Sequence, residues 1–410
     1  MKKTPVSMRP HIGIFGKRNV GKSSLINALT GQQTAIVSPV AGTTTDPVGK
    51  AMEILPLGPV FILDTAGLDD SGTLGTLRIK KTLAALKRTD LILLITTYND
   101  FDEQDKEFIR DKKNTLVIIN KSDLTGNEDK RERVEKYLRD NDLDFLSVSS
   151  KTGEMIPELR LLIAAKVPET ITSDIILRDL FEPEDLIIHI IPIDSAAPKG
   201  RIILPQEQVL RECLDHHSVS ICIQPEELPQ TLNLLNTKPR LVITDSQAIG
   251  YVAGETPEEI MLTTYSILFS RLKGELSLFV EGLKALKDLE SGDKILIAEA
   301  CTHHSQPDDI GRVKIPKWLN DYTGKELQYI INPGKMLHQD LKGIKLIVHC
   351  GGCMINRKEM LSRIQTAEEK GIPVTNYGVL ISHIHQTLKR TIKPFPESYE
   401  RYLTLFPDAR

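Results

Sequence analysis

An apolar run, His11–Phe15, leads straight into Gly16-Lys17-Arg18-Asn19-Val20-Gly21-Lys22-Ser23, and Leu25, Ile26 and Leu29 then follow at helical spacing. Strand, glycine loop and helix in that order leave little freedom. The glycines let successive backbone N–H groups turn inward, and the helix N-terminus adds partial positive charge, so the loop is built to wrap phosphate. Such a loop needs a parallel sheet behind it and a helix in front. Lys22 is then placed to reach β- and γ-phosphates and the Ser23 hydroxyl to hold Mg2+, with Val20 and Ser24 completing the cradle.

Further motifs fall in register with this one. Asp64-Thr65-Ala66-Gly67 follows the run Val60–Leu63, placing Asp64 toward magnesium through water and the Gly67 N–H toward a γ-phosphate. Asn120-Lys121-Ser122-Asp123 ends the run Thr115–Asn120. The Asp123 carboxylate can accept two hydrogen bonds from guanine N1 and its exocyclic amine, which adenine does not offer. Ser149-Ser150-Lys151 closes another run and would back the base. Gly42-Thr43-Thr44-Thr45 supplies a threonine hydroxyl, that of Thr44, for the magnesium. All lie at carboxyl ends of expected strands, where open α/β sheets bind ligands.

This segment resembles the Era-like and MnmE-like small GTPases. Leu68 follows Gly67 where Ras-like enzymes carry a water-orienting glutamine, so slow intrinsic hydrolysis is expected. Asn19 matches the asparagine that binds K+ in MnmE-like GTPases, which implies potassium-stimulated hydrolysis. The residues so implicated in catalysis are Lys22, Thr44, Asp64 and Gly67.

The remaining chain is too long for one more core. With 410 residues and roughly 100–200 residues per domain, we expect an α/β protein: a P-loop GTPase domain with a mixed, mostly parallel sheet over 1–170, then two further α/β domains, a small βαβ one over 178–256 and a third over 257–410. In the second, strands are expected at Leu186–Ile193, Val219–Ile223 and Leu241–Thr244. Its small size favours self-association. The third should open with two long helices, Pro257–Leu272 and Glu275–Leu289, and then alternate strand and helix.

That third segment holds most of the cysteine chemistry. The chain has five cysteines, an odd count absent from the GTPase segment, which argues against a disulfide framework. Cys301-Thr302-His303-His304 follows the strand Lys294–Ala298, and His349-Cys350-Gly351-Gly352-Cys353 ends the strand Lys345–Val348. Were the two strands neighbours, three thiols would converge. Three cysteines with histidine suit tetrahedral zinc; three cysteines with an exchangeable fourth ligand suit an iron–sulfur cluster. A redox Cys-x-x-Cys or plain buried cysteines also fit the spacing. A helix beginning soon after Cys353 is expected to lower the thiol pKa values. Cys213 and Cys222 read as core residues, and His216 and His217 as helix-end or solvent-facing ones.

A GTPase segment, a βαβ-rich middle, and Cys-x-His followed at a distance by His-Cys-x-x-Cys together resemble the FeFe-hydrogenase maturation GTPase family (HydF) along essentially the whole chain. The resemblance implies a homodimer, or a higher oligomer, joined through the middle domain, with a 4Fe-4S cluster in the third. It implies a scaffold or carrier for the diiron subcluster precursor, working with two radical-SAM maturases and delivering to the apo-hydrogenase. Cys301, Cys350 and Cys353 match the cluster cysteines; His303, His349 or Glu299 would be the fourth ligand. The competing expectation is an Era-like RNA-, ribosome- or tRNA-modification-associated GTPase with a structural zinc. A formal net charge of -3 and no RNA-binding motif disfavour nucleic acid. No apolar run reaches the roughly 18–20 residues of a membrane span, and Met1–Pro10 lacks the apolar core of a signal peptide, so a cytoplasmic protein is expected. If Asn19 holds K+, GTP turnover should be faster in KCl than in NaCl at equal ionic strength; a phosphate-release assay giving equal rates in the two salts sinks that role.

Overall fold

A computed structural model describes residues 5–30, 49–64, 85–110, 112, 114–124, 128–168, 175–193, 202–300, 309–334, 337 and 340–407, the side chains of Thr30 and Asp64 excepted. The chain divides into two compact units, Met1–Ser173 and Asp174–Arg410.

The first unit is built on a six-stranded sheet. Its strands are β1 (His11–Phe15), β2 (Gly49–Ile54), β3 (Gly58–Asp64), β4 (Leu91–Thr96), β5 (Thr115–Ile119) and β6 (Asp144–Ser147), in the order β2-β3-β1-β4-β5-β6. Only β2 runs antiparallel, paired with β3; the sheet is mixed and mostly parallel, as expected. The central strands are buried throughout because both faces are covered. Their period of two divides the core. Ile12, Ile14, Leu93 and Ile95 pack against Leu25, Leu29, Leu159 and Ile163, from the helices Lys22–Thr30 and Ile156–Lys166. Phe15, Ile92, Leu94 and Val117 pack against Ile109, Val134 and Leu138, from the helices Glu103–Ile109 and Glu128–Asp140. Strand β2 escaped the sequence reading. It is an edge strand, and Gly49-Lys50-Ala51 carries no apolar alternation.

The second unit contains two four-stranded parallel sheets. The first joins β7 (Leu186–Ile190), β8 (Val219–Ile223), β9 (Leu241–Thr244) and β10 (Met261–Thr264) in the order β10-β9-β7-β8. The second joins β11 (Lys294–Ala298), β12 (Gln328–Asn332), β13 (Ile344–His349) and β14 (Val374–Asn376) in the order β12-β11-β13-β14.

Two expectations are corrected here. The helix foreseen at Pro257–Leu272 is a strand followed by a helix. Met261–Thr264 pairs with β9, so the middle sheet crosses the expected boundary at 256/257. The β-branched Thr263 and Thr264 favour the strand, and the Thr264 hydroxyl then accepts the Ile267 N–H at 3.2 Å, capping the helix Tyr265–Lys273. The helix foreseen at Glu275–Leu289 is also shorter, an α-helix over Leu276–Gly282 that tightens to a 3-10 turn over Leu283–Lys287.

The two sheets of this unit are tied by arginines donating to carbonyls at and just beyond helix ends. Arg357 reaches the carbonyls of Leu272 at 3.0 Å and Gly274 at 2.7 Å. Arg390 reaches those of Ala253, Thr256 and Pro257, each at 2.6 Å.

Among the described residues no helix is long and apolar enough to cross a membrane. Gly282 packs against β14 so closely that an added Cβ would lie 2.0 Å from the Val374 carbonyl oxygen. Gly282→Ala should therefore cost about 3 kcal/mol through a backbone clash that no rotamer relieves; urea unfolding followed by circular dichroism reads the loss, and an unchanged midpoint contradicts this packing.

Candidate functional site: a phosphate loop and a cysteine loop

The phosphate loop leaves β1 between its neighbours β3 and β4, at the crevice where α/β sheets receive ligands. Gly16 has φ +141°, and a Cβ there would lie 2.1 Å from the Ile95 carbonyl oxygen, so the loop turns tightly over the end of β4. Asn19 and Gly21 also have positive φ, 63° and 96°. Lys22 Nζ folds back over the loop, donating to the Gly16 carbonyl at 2.8 Å and the Lys17 carbonyl at 2.6 Å. It rests on oxygens it can exchange for phosphate oxygens. Val20 is buried, while Ser23 and Ser24 are exposed in the first turn of the following helix.

The base-recognition segments reach this loop from β5 and β6. Asn120 is buried and ties three segments together. Its Nδ2 donates to the Val20 carbonyl at 2.9 Å, and its Oδ1 accepts the Ser150 N–H at 3.1 Å and hydroxyl at 2.8 Å. Lys121 takes φ 64°, turning the chain so that Asp123 comes beside Ser149, whose hydroxyl donates to Asp123 Oδ1 at 2.6 Å. That hydrogen bond, with Lys151 and Lys121 nearby, holds the Asp123 carboxyl below its ordinary value. It stays an acceptor, as guanine requires. Lys151 is exposed. Asp64 ends β3, its side chain outside the description; Thr44, Gly67 and Leu68 lie outside the described residues.

The cysteine loop sits at the carboxyl end of the other unit's last sheet. Strand β11 pairs with β13, setting Ala298 opposite His349. Beyond the pair, Cys350 N–H donates to the Ala298 carbonyl at 2.9 Å, and Ala300 N–H donates to Cys350 Sγ at 3.1 Å. Ala300 is the residue immediately before Cys301. Cys301 and His303 themselves lie outside the described residues, and among those described no group of three His, Cys, Asp or Glu side chains is gathered to hold a metal ion. Gly352 takes φ +65°, a conformation that L side chains rarely adopt, and a Cβ there would displace the end of the Met360 side chain, whose Cε would lie 2.5 Å away. The chain then enters the helix Arg357–Glu368, capped by Asn356.

The expected lowering of thiol pKa is not met at Cys350. Burial pushes it up to about 11, and the N–H groups of Gly352 and Ala300 offset this only in part. A bound cation reverses that balance, so the donor set fits a soft metal better than a free thiolate.

Two candidate fourth ligands are engaged. Glu299, 2% exposed, receives Arg312 Nη2 at 2.8 Å and Nε at 3.3 Å. His349, 1% exposed, has Nε2 2.9 Å from Arg363 Nη1 and Nδ1 2.7 Å from the Cys350 carbonyl. The arginine can only donate, so Nδ1 carries the ring proton. Burial, then Arg363, brings His349 down to about 3. Arg312 and Arg363 were missed in the sequence because each is a charge partner supplied by a distant turn.

Outside both sites, Cys213 is buried in the core, as expected, but Cys222 is exposed on β8, an edge strand. His216 ends the helix Leu204–Asp215, and His217 is exposed.

Comparison with known proteins separates the segments. Residues 11–121 match the 50S ribosome-binding GTPase model. The chain is 34% identical to GTPase Der of Wolinella succinogenes, over 42% of this chain and 39% of that protein. It is 31% identical to the tRNA modification GTPase MnmE of Moorella thermoacetica, over 61% of this chain and 50% of that protein. The chain thus spans half or less of the length of these curated relatives. Among solved structures, Era of Aquifex aeolicus bound to GDP.AlF4- aligns with 55% of this chain and 98% of its own at 21% identity, with a TM-score of 0.33.

Asp123→Asn places a donor where guanine N1–H also donates, and should weaken GDP binding at least about 100-fold; titration with a fluorescent GDP analogue checks it, and undiminished affinity removes Asp123 from base recognition. Beyond the GTPase segment, residues 176–274 match the hydrogen maturase F dimerization domain and residues 277–394 the hydrogen maturase F tetramerization domain, and the chain belongs to the hydrogen maturase F (HydF) family.

Proposed function

We propose that this chain binds and slowly hydrolyses GTP and serves as an iron–sulfur scaffold in hydrogenase maturation, carrying the diiron subcluster precursor to apo FeFe-hydrogenase. The observation that carries the reading is the hydrogen bond from Ala300 N–H to Cys350 Sγ at 3.1 Å. It joins segments some fifty positions apart and puts the backbone before Cys301 against the sulfur of the His-Cys-Gly-Gly-Cys loop. Cys301, Cys350 and Cys353 would hold the 4Fe-4S cluster, and an iron position without thiolate offers an exchangeable place for cargo. Glu299 and His349 suit such a weak fourth ligand, since each has a competing partner, Arg312 or Arg363, to return to; His303 is the third candidate.

In the other unit, Lys22 and the loop N–H groups would bind the phosphates, Ser23 and Thr44 the Mg2+, with Asp64 reaching the Mg2+ through water, the Gly67 N–H meeting the γ-phosphate and Asn19 holding K+. The strand β8 supports the dimer: among the described residues it is an edge strand, bearing Val219, 52% exposed, and the exposed Cys222, and a sheet edge is a template for a second copy. Two radical-SAM maturases and a cytoplasmic setting belong to the same reading.

The ribosome-binding description of the model matched by 11–121 favours an RNA-associated reading with structural zinc, but it covers none of the cysteine segment.

Anaerobic isolation decides between them. The reading expects a brown protein with about four iron and four sulfide per chain, near-complete loss of iron in Cys301→Ala, Cys350→Ala and Cys353→Ala, and retention in Cys222→Ser. A colourless protein with one zinc per chain overturns it.

A further inference from the structure

The phosphate loop carries two lysines, and only Lys22 is explained by phosphate. Lys17 points elsewhere. Its side chain is 13% exposed, and its Nζ meets the Asp100 carbonyl at 2.6 Å, Asp102 Oδ1 at 2.6 Å and Asp105 Oδ2 at 3.1 Å. Three oxygens use all three ammonium hydrogens.

The oxygens come from the segment after β4, at the start of the helix Glu103–Ile109. Asp102 is that helix's N-cap, accepting the Gln104 N–H at 2.9 Å, and the Asp105 carboxylate returns to the Asp102 N–H at 3.4 Å. This capping box explains why the helix starts there. It does not explain why Asp105 is buried so completely. Its carboxylate is 1% exposed, its Oδ2 is shared among Lys17, the Thr96 hydroxyl and the Asp102 N–H, and its Oδ1 is buried with no hydrogen-bond partner among the described residues. An orphaned carboxylate oxygen costs stability that a plain helix cap need not spend.

The connection runs onward. The Lys17 backbone carbonyl, at 2.6 Å, is one of the two oxygens on which Lys22 Nζ rests. Lys17 also follows Gly16 directly, where the loop presses on the end of β4. Whatever fixes Lys17 fixes both the entry to the loop and the seat of the phosphate-binding lysine.

We propose that Asp105, with Asp102, is a positioning residue for nucleotide binding. It acts through Lys17 to hold the first half of the phosphate loop in its cradle while touching no part of the nucleotide. The proposal rests on the GTP-binding reading above. A buried ion pair contributes little net stability but enforces one geometry, and misplacing binding groups by about 1 Å can cost up to 100-fold. Because the Lys17 ammonium is taken up by these three oxygens, the effect should fall on phosphate recognition and leave the preference for guanine unchanged.

The test uses the full chain and measures dissociation constants for Mg-GDP and Mg-GTP, single-turnover GTP hydrolysis, competition by ATP, and thermal unfolding without nucleotide. Lys17→Met and Asp105→Leu should each weaken both nucleotides roughly tenfold, with ATP no better a competitor than before, and Lys17→Arg should recover most of the affinity. The double variant, Lys17→Met with Asp105→Leu, leaves no unpaired buried charge. The proposal expects it to regain the unfolding temperature while nucleotide binding stays weak. Should binding return with stability, the pair is only structural and the proposal falls while the GTP reading stands. Should the unaltered chain bind neither nucleotide, both fall together.

Discussion

The ladder between β11 and β13 governs everything in the C-terminal half. The parallel ladder shifts register between Lys294 and Ile295 and then pairs evenly to its end, setting Ala298 against His349, and this brings the Ala300 N–H to the Cys350 sulfur. A slip of one residue would turn each strand's inward set outward. Residues Ile295, Leu296, Ile297, Leu346, Ile347 and Val348 are almost completely buried, so both faces of the ladder are core and a slip would have to repack both. The soft donors thus follow strands embedded in the core, while the loop that carries them turns at Gly352. Function at the edge of a sheet depends on rigidity within it.

The same arrangement recurs in the first unit. Loops after β1, β5 and β6 meet at one edge of a sheet, and Asn120 binds them by hydrogen bonds to Val20 and Ser150. Neighbouring side chains and carbonyls hold the candidate site residues in place. Ser149 keeps Asp123 an acceptor, and Lys22 waits on carbonyl oxygens. Asp102 and Asp105 belong to this supporting layer. In the cysteine loop the electrostatics run the other way, since burial disfavours a charged Cys350 and a charged His349 alike.

The second unit's two sheets are joined by arginines that donate to carbonyls at and just beyond helix ends. Arg357, the first residue of the helix that follows the cysteine loop, holds the end of the helix that leaves β10. The segment matched to a dimerization domain and the helix that follows the cysteine loop therefore share a direct hydrogen-bonded connection within one compact unit. Charge-assisted bonds of this kind are stronger than neutral ones.

Local pattern was enough to reveal the phosphate loop, the Asn120–Asp123 motif, the strands β1, β4, β5 and β11, and the two cysteine groups, because each is written in contiguous residues: a glycine turn between strand and helix, or a buried run ended by a polar motif. The edge strand β2, the strand β10 within an expected helix, the exposure of Cys222, and the Lys17, Arg312 and Arg363 pairings were not legible there. An edge strand needs no apolar alternation. A four-residue strand carries too little periodicity to outweigh its helical neighbour. A charge partner on another turn has no spacing rule at all. What the order of residues determined by itself was the chemistry available at each strand end; what only the tertiary structure decided was which strand ends lie side by side, because that depends on sheet order and register, set by the packing of the whole core.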